Sequence, residues 1–221
     1  MPTERTRNFI EEFIDDEEQR LILVASCNAF DRLETKLTIE PSELQPIVNA
    51  AKNKHKAVWQ IGGDFLWRLS INHEEARNVI RTLIHSRYVD ERFQIMACIR
   101  KDVPVSFSKE IIREGIADTK GKRVREKAAQ AFFDLNIKEL VPDFEIALDK
   151  EQNEETKESI RMHLHLIRDG YYLKKYRENH LTLFFPNKEE WGGISICGIS
   201  VKPEEISNEK MIKETINKRR R

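Results

Sequence analysis

Glycine and proline are scarce in this sequence, with 8 and 7 copies among 221 residues. A protein built from many strands and tight turns needs more of both, so the composition argues against an all-β fold. The three cysteines, Cys27, Cys98 and Cys197, are far apart and form no Cys-x-x-Cys motif. We therefore expect neither a disulfide framework nor a zinc knuckle, and a reducing compartment is the simplest interpretation.

Long apolar runs are also missing. No stretch approaches the ~20 apolar residues that a membrane span requires. Residues 1–20 contain no apolar core of a signal peptide. We therefore expect no membrane partner and a cytoplasmic location. Hydrophobic residues make up 39% and charged residues 34% of the chain, a balance typical of thin helical layers that expose much of each helix to water.

An excess of one charge is absent, because 38 basic residues balance 38 acidic ones. A general nucleic-acid binder usually has a basic excess, so the composition disfavours this class. The charges are unevenly placed: residues 4–20 contain seven acids against three bases, and the chain ends in Lys218-Arg219-Arg220-Arg221. We interpret both ends as solvated segments.

Motifs of familiar catalytic and metal sites are missing as well. The six histidines form no His-x-x-x-His pair, and neither a Gly-x-Gly-x-x-Gly, a Walker loop nor a Gly-x-Ser-x-Gly occurs. We therefore assign no catalytic residue, no metal ligand and no cofactor, and expect a non-enzymatic protein. The run Asp15-Asp16-Glu17-Glu18 is interpreted as a helix start, where the helix dipole favours acids, rather than as a metal site.

What the sequence does contain is an internal repeat of about 32 residues. Apolar residues recur in one register at Val48, Ile80, Ile112 and Phe144. A second register, spaced by 33, 33 and 32 residues, contains Gly62, Ile95, Ala128 and Ile160. Each repeat is long enough for two helices, and stacking such pairs in register joins their apolar faces into one core.

The clearest repeat resembles a known pattern. Residues 118–135 contain Asp118, then Val124-Arg125, Ala128-Ala129 and Phe132. This resembles HEAT and HEAT-like repeats, in which an Asp closes the first helix and Val-Arg opens the second; armadillo repeats match less well. The resemblance implies a mainly α protein, a right-handed α-solenoid of about four HEAT-like helix pairs over residues 42–170. An N-terminal helical cap would occupy residues 1–41, with one or two helices in residues 5–37.

The C-terminal part, residues 171–221, has a different pattern. Apolar and small residues alternate over Ile194–Val201, which predicts a β-hairpin or two short strands within residues 181–201. A basic helical tail should follow over about residues 204–218. We expect the hairpin to cover the end of the solenoid core, and the alternative is that it offers an edge to a partner strand.

Arginine and lysine precede the second register in later repeats, at Arg92, Arg125 and Lys157. In HEAT-like repeats such residues commonly pair with an acid to form a ladder between neighbouring repeats. The resemblance therefore implies that Asp118 pairs with Arg125 and Asp149 with Lys157. Contact with a ligand is the alternative role for these cations.

The first repeat breaks the pattern, because Trp59 takes the place of the basic residue and Gly62-Gly63 follow it. Each glycine inside a helix costs about 1 kcal/mol relative to alanine. Close helix packing or room for a ligand must offset that cost. Trp59 and Trp67 either fill the volume that the glycines leave or form a recognition patch. Cys98 is expected to pack in the core.

Three functions remain open at this stage. The first is a protein-interaction scaffold that binds a partner protein or peptide on the concave face built by the second helices, residues 56–70, 89–101, 122–135 and 154–168. Its predicted contact residues are Trp59, Asp64, Trp67, Arg92 and Arg125. The second is a DNA- or RNA-binding protein, and the third handles a small molecule or chromophore in a pocket near Gly62-Gly63, as HEAT-like lyase subunits do.

The nucleic-acid hypothesis adds Arg81, Lys122 and Arg123 as contacts and requires these cations to share one surface with Arg92 and Arg125. HEAT-like DNA glycosylases for alkylated bases use such a stripe together with tryptophans and an acid. The resemblance to them is loose, because Trp59 and Asp64 diverge by about 140° on a helix.

Overall fold

A computed structural model describes residues 2–177, 180–189 and 194–219 of the chain. This part is mainly helical, with eleven α-helices and one three-stranded antiparallel sheet near the C-terminus. The chain divides into two compact units, Met1–Ala131 and Phe132–Arg221. Among the described helices, none is long and apolar enough to pass through a bilayer.

The first unit consists of helices joined by short turns. Their bounds are Pro2–Phe13 (α1), Glu17–Leu33 (α2), Gln45–Ala51 (α3), Lys56–Leu69 (α4), Glu74–Ile84 (α5), Val89–Ala97 (α6), Val105–Ile116 (α7) and Lys122–Asp134 (α8). A 3₁₀ turn over Pro41–Leu44 leads into α3. The helices from α3 onward form consecutive pairs, α3–α4, α5–α6 and α7–α8, at the places where the sequence repeat predicted them.

Helices α1 and α2 confirm the prediction of helices before the first pair. The acidic run lies at a helix start, also as predicted: Asp16 caps α2, and its carboxylate accepts a hydrogen bond from the Gln19 amide at 3.0 Å. Glu17 and Glu18 occupy the first turn, where the helix dipole favours negative charge. Farther along α2, Leu23 and Phe30 are completely buried.

The repeated apolar positions form the interior of the first unit. Ile80 on α5 and Ile112 on α7 are fully buried, as are Ile95 on α6 and Ala128 on α8. Val48 on α3 is half-buried. The periodicity thus marks core positions, because each helix turns the same side of its repeat toward its neighbours.

The two glycines of α4 allow this helix to pack closely on two sides, Gly62 against α3 and Gly63 against Cys98. A Cβ atom on Gly62 would lie 2.4 Å from the Ala51 backbone nitrogen and 2.7 Å from the Ala50 carbonyl carbon. A Cβ on Gly63 would lie 2.5 Å from Cys98 Sγ. Close helix packing, and not an open ligand space, therefore accounts for the pair.

One capping residue departs from its sequence pattern. Asn72, with Glu75 three residues later, has the spacing of a capping box, but the N-cap of α5 is His73, whose side chain makes no capping hydrogen bond. The Asn72 and His73 amides both donate to the Leu69 carbonyl and so continue the last turn of α4. The chain between α4 and α5 is too short for Asn72 to leave that turn.

The second unit contains two more helices, a sheet and a final helix. Their bounds are Val141–Lys150 (α9), Glu154–Arg168 (α10), Tyr172–Arg177 (β1), His180–Lys188 (β2), Ile194–Val201 (β3) and Glu209–Arg219 (α11). Short 3₁₀ turns lie at Lys138–Leu140 and Pro203–Ile206. Gly170 has φ +80° and ends the α10 segment, a conformation that other residues rarely adopt.

The three strands pair antiparallel in the order β1-β2-β3. The predicted hairpin corresponds to β2 and β3, in which Phe185 lies opposite Cys197. The first strand was not predicted, because its sequence YLKKYR is largely polar and shows no alternation of apolar and polar residues. The predicted final helix exists as α11, and its Ile212 and Ile216 pack against the core under the sheet. Residues 190–193 of the predicted hairpin, and 220–221 of the basic tail, lie outside the described residues.

The close contact at Gly62 leads to a test of the packing. We expect Gly62→Ala to lower the free energy of unfolding by about 2 kcal/mol or more, because overpacking against backbone outweighs the ~1 kcal/mol that alanine gains as a helix former. Urea denaturation followed by circular dichroism measures the change. The matched control is Gly115→Ala, whose added Cβ would meet the flexible end of Met96. Equal stability of the two variants would contradict this account of α4.

Candidate functional site

A groove of about 950 Å³ lies on the first unit, along the second helix of each of its pairs. Helix α4 contributes Trp59 and Gln60, α6 contributes Phe93, and α8 contributes Arg123 and Lys127. Lys52 and Lys54 lie in the turn between α3 and α4, and Lys56 is the first residue of α4. All three also line the groove. The groove thus runs across the helices that the sequence predicted to carry the binding face.

The groove has an aromatic floor. The rings of Trp59 and Phe93 meet edge to face, with centroids 5.9 Å apart and an interplanar angle of 69°. The Arg123 guanidinium lies over the Phe93 ring at 3.9 Å, a cation–π contact. Trp59 lines the groove but is only 9% exposed, so a small part of this residue reaches its surface. The floor is therefore rigid and partly apolar.

The groove wall is predominantly basic, with five cations against Asp90 and Glu91. Lys52 is neutralised by Glu91 at 3.1 Å, and Lys127 donates to the Gln130 side chain at 2.7 Å. The remaining cations are exposed and form no ion pair with any residue that the structure describes. They are Lys54, Lys56 and Arg123.

A buried ion pair fixes one side of the groove. Arg92 on α6 donates through Nε and Nη2 to the Asp118 carboxylate, at 2.5 and 3.2 Å. Both side chains are almost completely buried. Arg92 Nη1 also donates to the Ser86 carbonyl at 2.6 Å. The pair joins α6 to the turn between α7 and α8, and so it ties the second helix pair to the third.

Asp118 also organises its own turn. Its carboxylate accepts hydrogen bonds from the Lys120 and Gly121 amides at 2.8 and 2.7 Å. Burial alone would raise the pKa of Asp118, but the hydrogen bonds from Arg92, Gly121 and Lys120 outweigh burial and lower it below its usual value.

The predicted ladder partners require correction. The carboxylate of Asp118 pairs with Arg92 of the preceding helix pair, whereas Arg125 donates to the Asp118 backbone carbonyl at 2.7 Å. No ion pair joins Asp149 to Lys157, although both residues are described. The local role of Asp118 is repeated 33 residues later by Glu151, whose carboxylate accepts the Gln152 and Asn153 amides.

Two other predicted contact residues are engaged elsewhere. Trp67 is fully buried, donates through Nε1 to the Ile95 carbonyl at 2.8 Å and packs 5.5 Å from Phe107. Asp64 forms an ion pair with Arg100 at 2.5 Å. Of the predicted partner-binding residues, Trp59 therefore lies in the groove, Arg92 and Arg125 support it, and Trp67 belongs to the core.

The cations of the nucleic-acid hypothesis are not brought to one surface. Arg81 lies with the first helices, where it is paired with Glu110 and Glu74, both at 2.6 Å. Arg123 lies in the groove, and Lys122 is exposed at the start of α8 without lining it. With Arg92 buried, no continuous stripe connects the predicted residues.

Cys98 lies behind the groove and is chemically protected. Burial, together with a smaller effect of the negative charge of Asp64, raises its pKa to about 12. A thiol with such a pKa is almost entirely protonated near neutral pH and is a poor nucleophile. Within the described residues, no group of three or more His, Cys, Asp or Glu side chains has a geometry that could hold a metal ion.

Sequence reasoning missed several groove residues, namely Lys54, Lys56, Phe93 and Gln94. One usable signal was present: Lys52, Lys54 and Lys56 alternate with other residues directly before Trp59. This spacing places a group of cations in the turn that opens a second helix. The remaining residues gave no signal, because half-exposed helix positions have no distinctive pattern.

Comparison of the chain with protein-family models, with curated proteins and with solved structures finds no match. The HEAT-like resemblance therefore remains an expectation from the repeat residues. Any function of the groove has to be argued from its own geometry, burial and charge, since a fold alone does not specify a function.

The Arg92–Asp118 pair leads to a prediction about stability and pH. Asp118→Asn leaves the buried Arg92 guanidinium without its counter-ion, so we expect the free energy of unfolding at pH 7 to fall by about 3 kcal/mol. Because folding lowers the pKa of Asp118, the carboxylate contributes fully above its unfolded pKa of about 3.9. Its contribution is lost as the pH falls below that value, and the variant should lack this part of the acid dependence.

Urea titrations between pH 7 and about pH 3 compare the two proteins, over the range that brackets the unfolded pKa. Asp149→Asn is the matched control, because Asp149 is exposed and forms no ion pair with the described residues. A loss of stability in Asp118→Asn no larger than in this control would contradict a structural role for the pair.

Proposed function

We propose that this protein is a non-enzymatic interaction scaffold of HEAT-like type, which holds an extended segment of a partner protein in the groove along α4, α6 and α8. The helix pairs are proposed to stack as a right-handed solenoid whose concave face carries the groove. The fourth pair, α9 and α10, belongs to this scheme by its repeat register.

Two features support the HEAT-like assignment. Consecutive helix pairs keep the register of the sequence repeat, and their buried positions coincide with it. The Arg92–Asp118 pair connects neighbouring helix pairs, as the ladder implied by the resemblance would.

The observation that carries the proposal is the combination of unpaired cations with an aromatic floor in one groove. Exposed cations lose little by having no ion-pair partner within the protein, so these remain available to a ligand, and Arg and aromatic residues are favoured anchors of protein interfaces. The groove offers both kinds of contact within reach of one ligand. Its volume suits a peptide segment rather than a whole domain face.

The other two hypotheses receive less support. Trp67 is fully buried and Trp59 is only 9% exposed, so neither ring has the exposed area that base stacking needs. Asp64, the acid of the glycosylase comparison, is paired with Arg100. A small-molecule pocket at Gly62-Gly63 is not supported, because α3 and Cys98 occupy the space beside both glycines.

The cytoplasmic location stays a proposal. Its support is that none of the three cysteines, all within the described residues, forms a disulfide; Cys27 is buried and Cys98 and Cys197 are half-buried, which suits a reducing compartment.

Peptide display tests whether the groove is the binding site. We expect random peptides selected on the wild-type protein to lose at least about tenfold in affinity for Gln60→Trp, because the added ring fills the groove and displaces contacts there. Gln60 is exposed on α4, so the substitution should leave stability unchanged. Ser106→Trp, at an exposed position of α7 outside the groove, is the matched control. Failure to select peptides, or equal binding to Gln60→Trp, would overturn the proposal.

A further inference from the structure

The unpaired cations lie on opposite sides of the groove. Lys54 and Lys56 lie at the start of α4, whereas Arg123 lies on α8. Helix α6 lies between them and exposes Phe93 and Asp90 to the groove. Positive charge is therefore concentrated at two ends, while the middle of the groove contains an aromatic ring and an acid.

Gln94 provides a second, independent indication of what the groove accepts. Its side chain lines the groove and is 6% exposed. Nε2 donates to the Asn53 carbonyl at 2.7 Å, and because that carbonyl only accepts, the orientation of the amide is fixed. Oε1 is buried and has no hydrogen-bond donor among the described residues. A buried acceptor without a donor is destabilising, so a ligand that supplies an N–H would gain from this position.

The width of the groove sets the length of the ligand. Packed helices lie about 8–10 Å apart, so α4 and α8 on either side of α6 are roughly 16–20 Å apart. An extended peptide rises about 3.3 Å per residue and would cross this distance with five or six residues.

We propose, on the basis of the peptide groove proposed above, that its ligand is an extended peptide with acidic side chains at both ends and an apolar side chain between them. The acidic ends pair with Lys54 and Lys56 on one side and with Arg123 on the other. The apolar side chain contacts Phe93 and the exposed part of Trp59. A backbone N–H of the peptide, near the apolar residue, donates to Gln94 Oε1.

A peptide fits these features better than a nucleic acid does. The phosphodiester backbone has no N–H to give to Gln94, and Asp90 in the middle of the groove would repel a uniformly charged phosphate chain. Arg123 covers one face of Phe93, which leaves that face closed to a base. An acidic peptide can place its charges only at the ends, where the cations are.

Fluorescence anisotropy with short labelled peptides tests the proposal. The acidic probe has two glutamates on either side of a Ser-Leu-Val-Ser core. Its two inner glutamates and the core together match the span of about six residues. Its neutral counterpart replaces each glutamate by glutamine, and a single-stranded oligo-dT of similar length represents nucleic acid. We expect the acidic peptide to bind about tenfold more tightly than the neutral one at low salt, and less so as salt increases.

Charge reversal locates the contacts. Lys56→Glu and Arg123→Glu should each weaken the acidic peptide about fivefold to tenfold, whereas Lys101→Glu, at an exposed lysine outside the groove, should leave it unchanged. Methylating the backbone nitrogen near the leucine should weaken binding to the wild-type protein and have little effect on Gln94→Met. Unfolding midpoints of all variants are measured in parallel.

The outcomes separate the two proposals. If displayed peptides bind the groove but are neutral or basic, the groove function stands and the acidic ligand is wrong. If the neutral and acidic probes bind equally, or Lys101→Glu acts like Arg123→Glu, the charge assignment is overturned. Tighter binding of oligo-dT than of the acidic peptide would show that the ligand of the groove is a nucleic acid and not a peptide.

Discussion

The ion pair between Arg92 and Asp118 is the interaction on which the arrangement of the first unit depends. Two buried charges are tolerated only when their hydrogen bonds are satisfied, and here the guanidinium also bonds a carbonyl while the carboxylate also takes two amides. Such a network has one favourable geometry. It therefore fixes α6 against the α7–α8 turn, and this placement determines where Phe93 and Arg123 meet.

The junction between the first and second pairs uses other contacts, and the groove is centred there. Trp59 replaces the ladder arginine, and Ser86 stands near the place of the ladder acid. Lys52 pairs with Glu91 instead, and Gln94 reaches back to the Asn53 carbonyl. Because no arginine–acid pair occupies this junction, Trp59 can line the groove. A departure from the repeat thus produces a site without loss of the stacked helices.

The sequence predicted the helix pairs well, because burial of one face imposes a period that is visible in residues such as Ile80 and Ile112. It also placed Trp59 at the exceptional position. It paired Asp118 with Arg125, whereas the structure pairs the carboxylate with Arg92, because only packing decides which side chain reaches it. Strand β1 was missed because its polar residues carry no alternating pattern. Gln94 could not be identified, because an unsatisfied amide oxygen depends on where every neighbouring donor lies.

The direct contact of α4 on α3 has a consequence for how this protein can change over time. Position 62 accepts no side chain unless the backbone of α3 moves, so substitution at this contact between α3 and α4 is strongly restricted. Lys54, Lys56 and Arg123 lie on exposed positions whose replacement disturbs little of the interior. Descendants of this chain could therefore change the charge of the groove rim, and with it the peptide ligand proposed above, while the helices beneath it keep their packing.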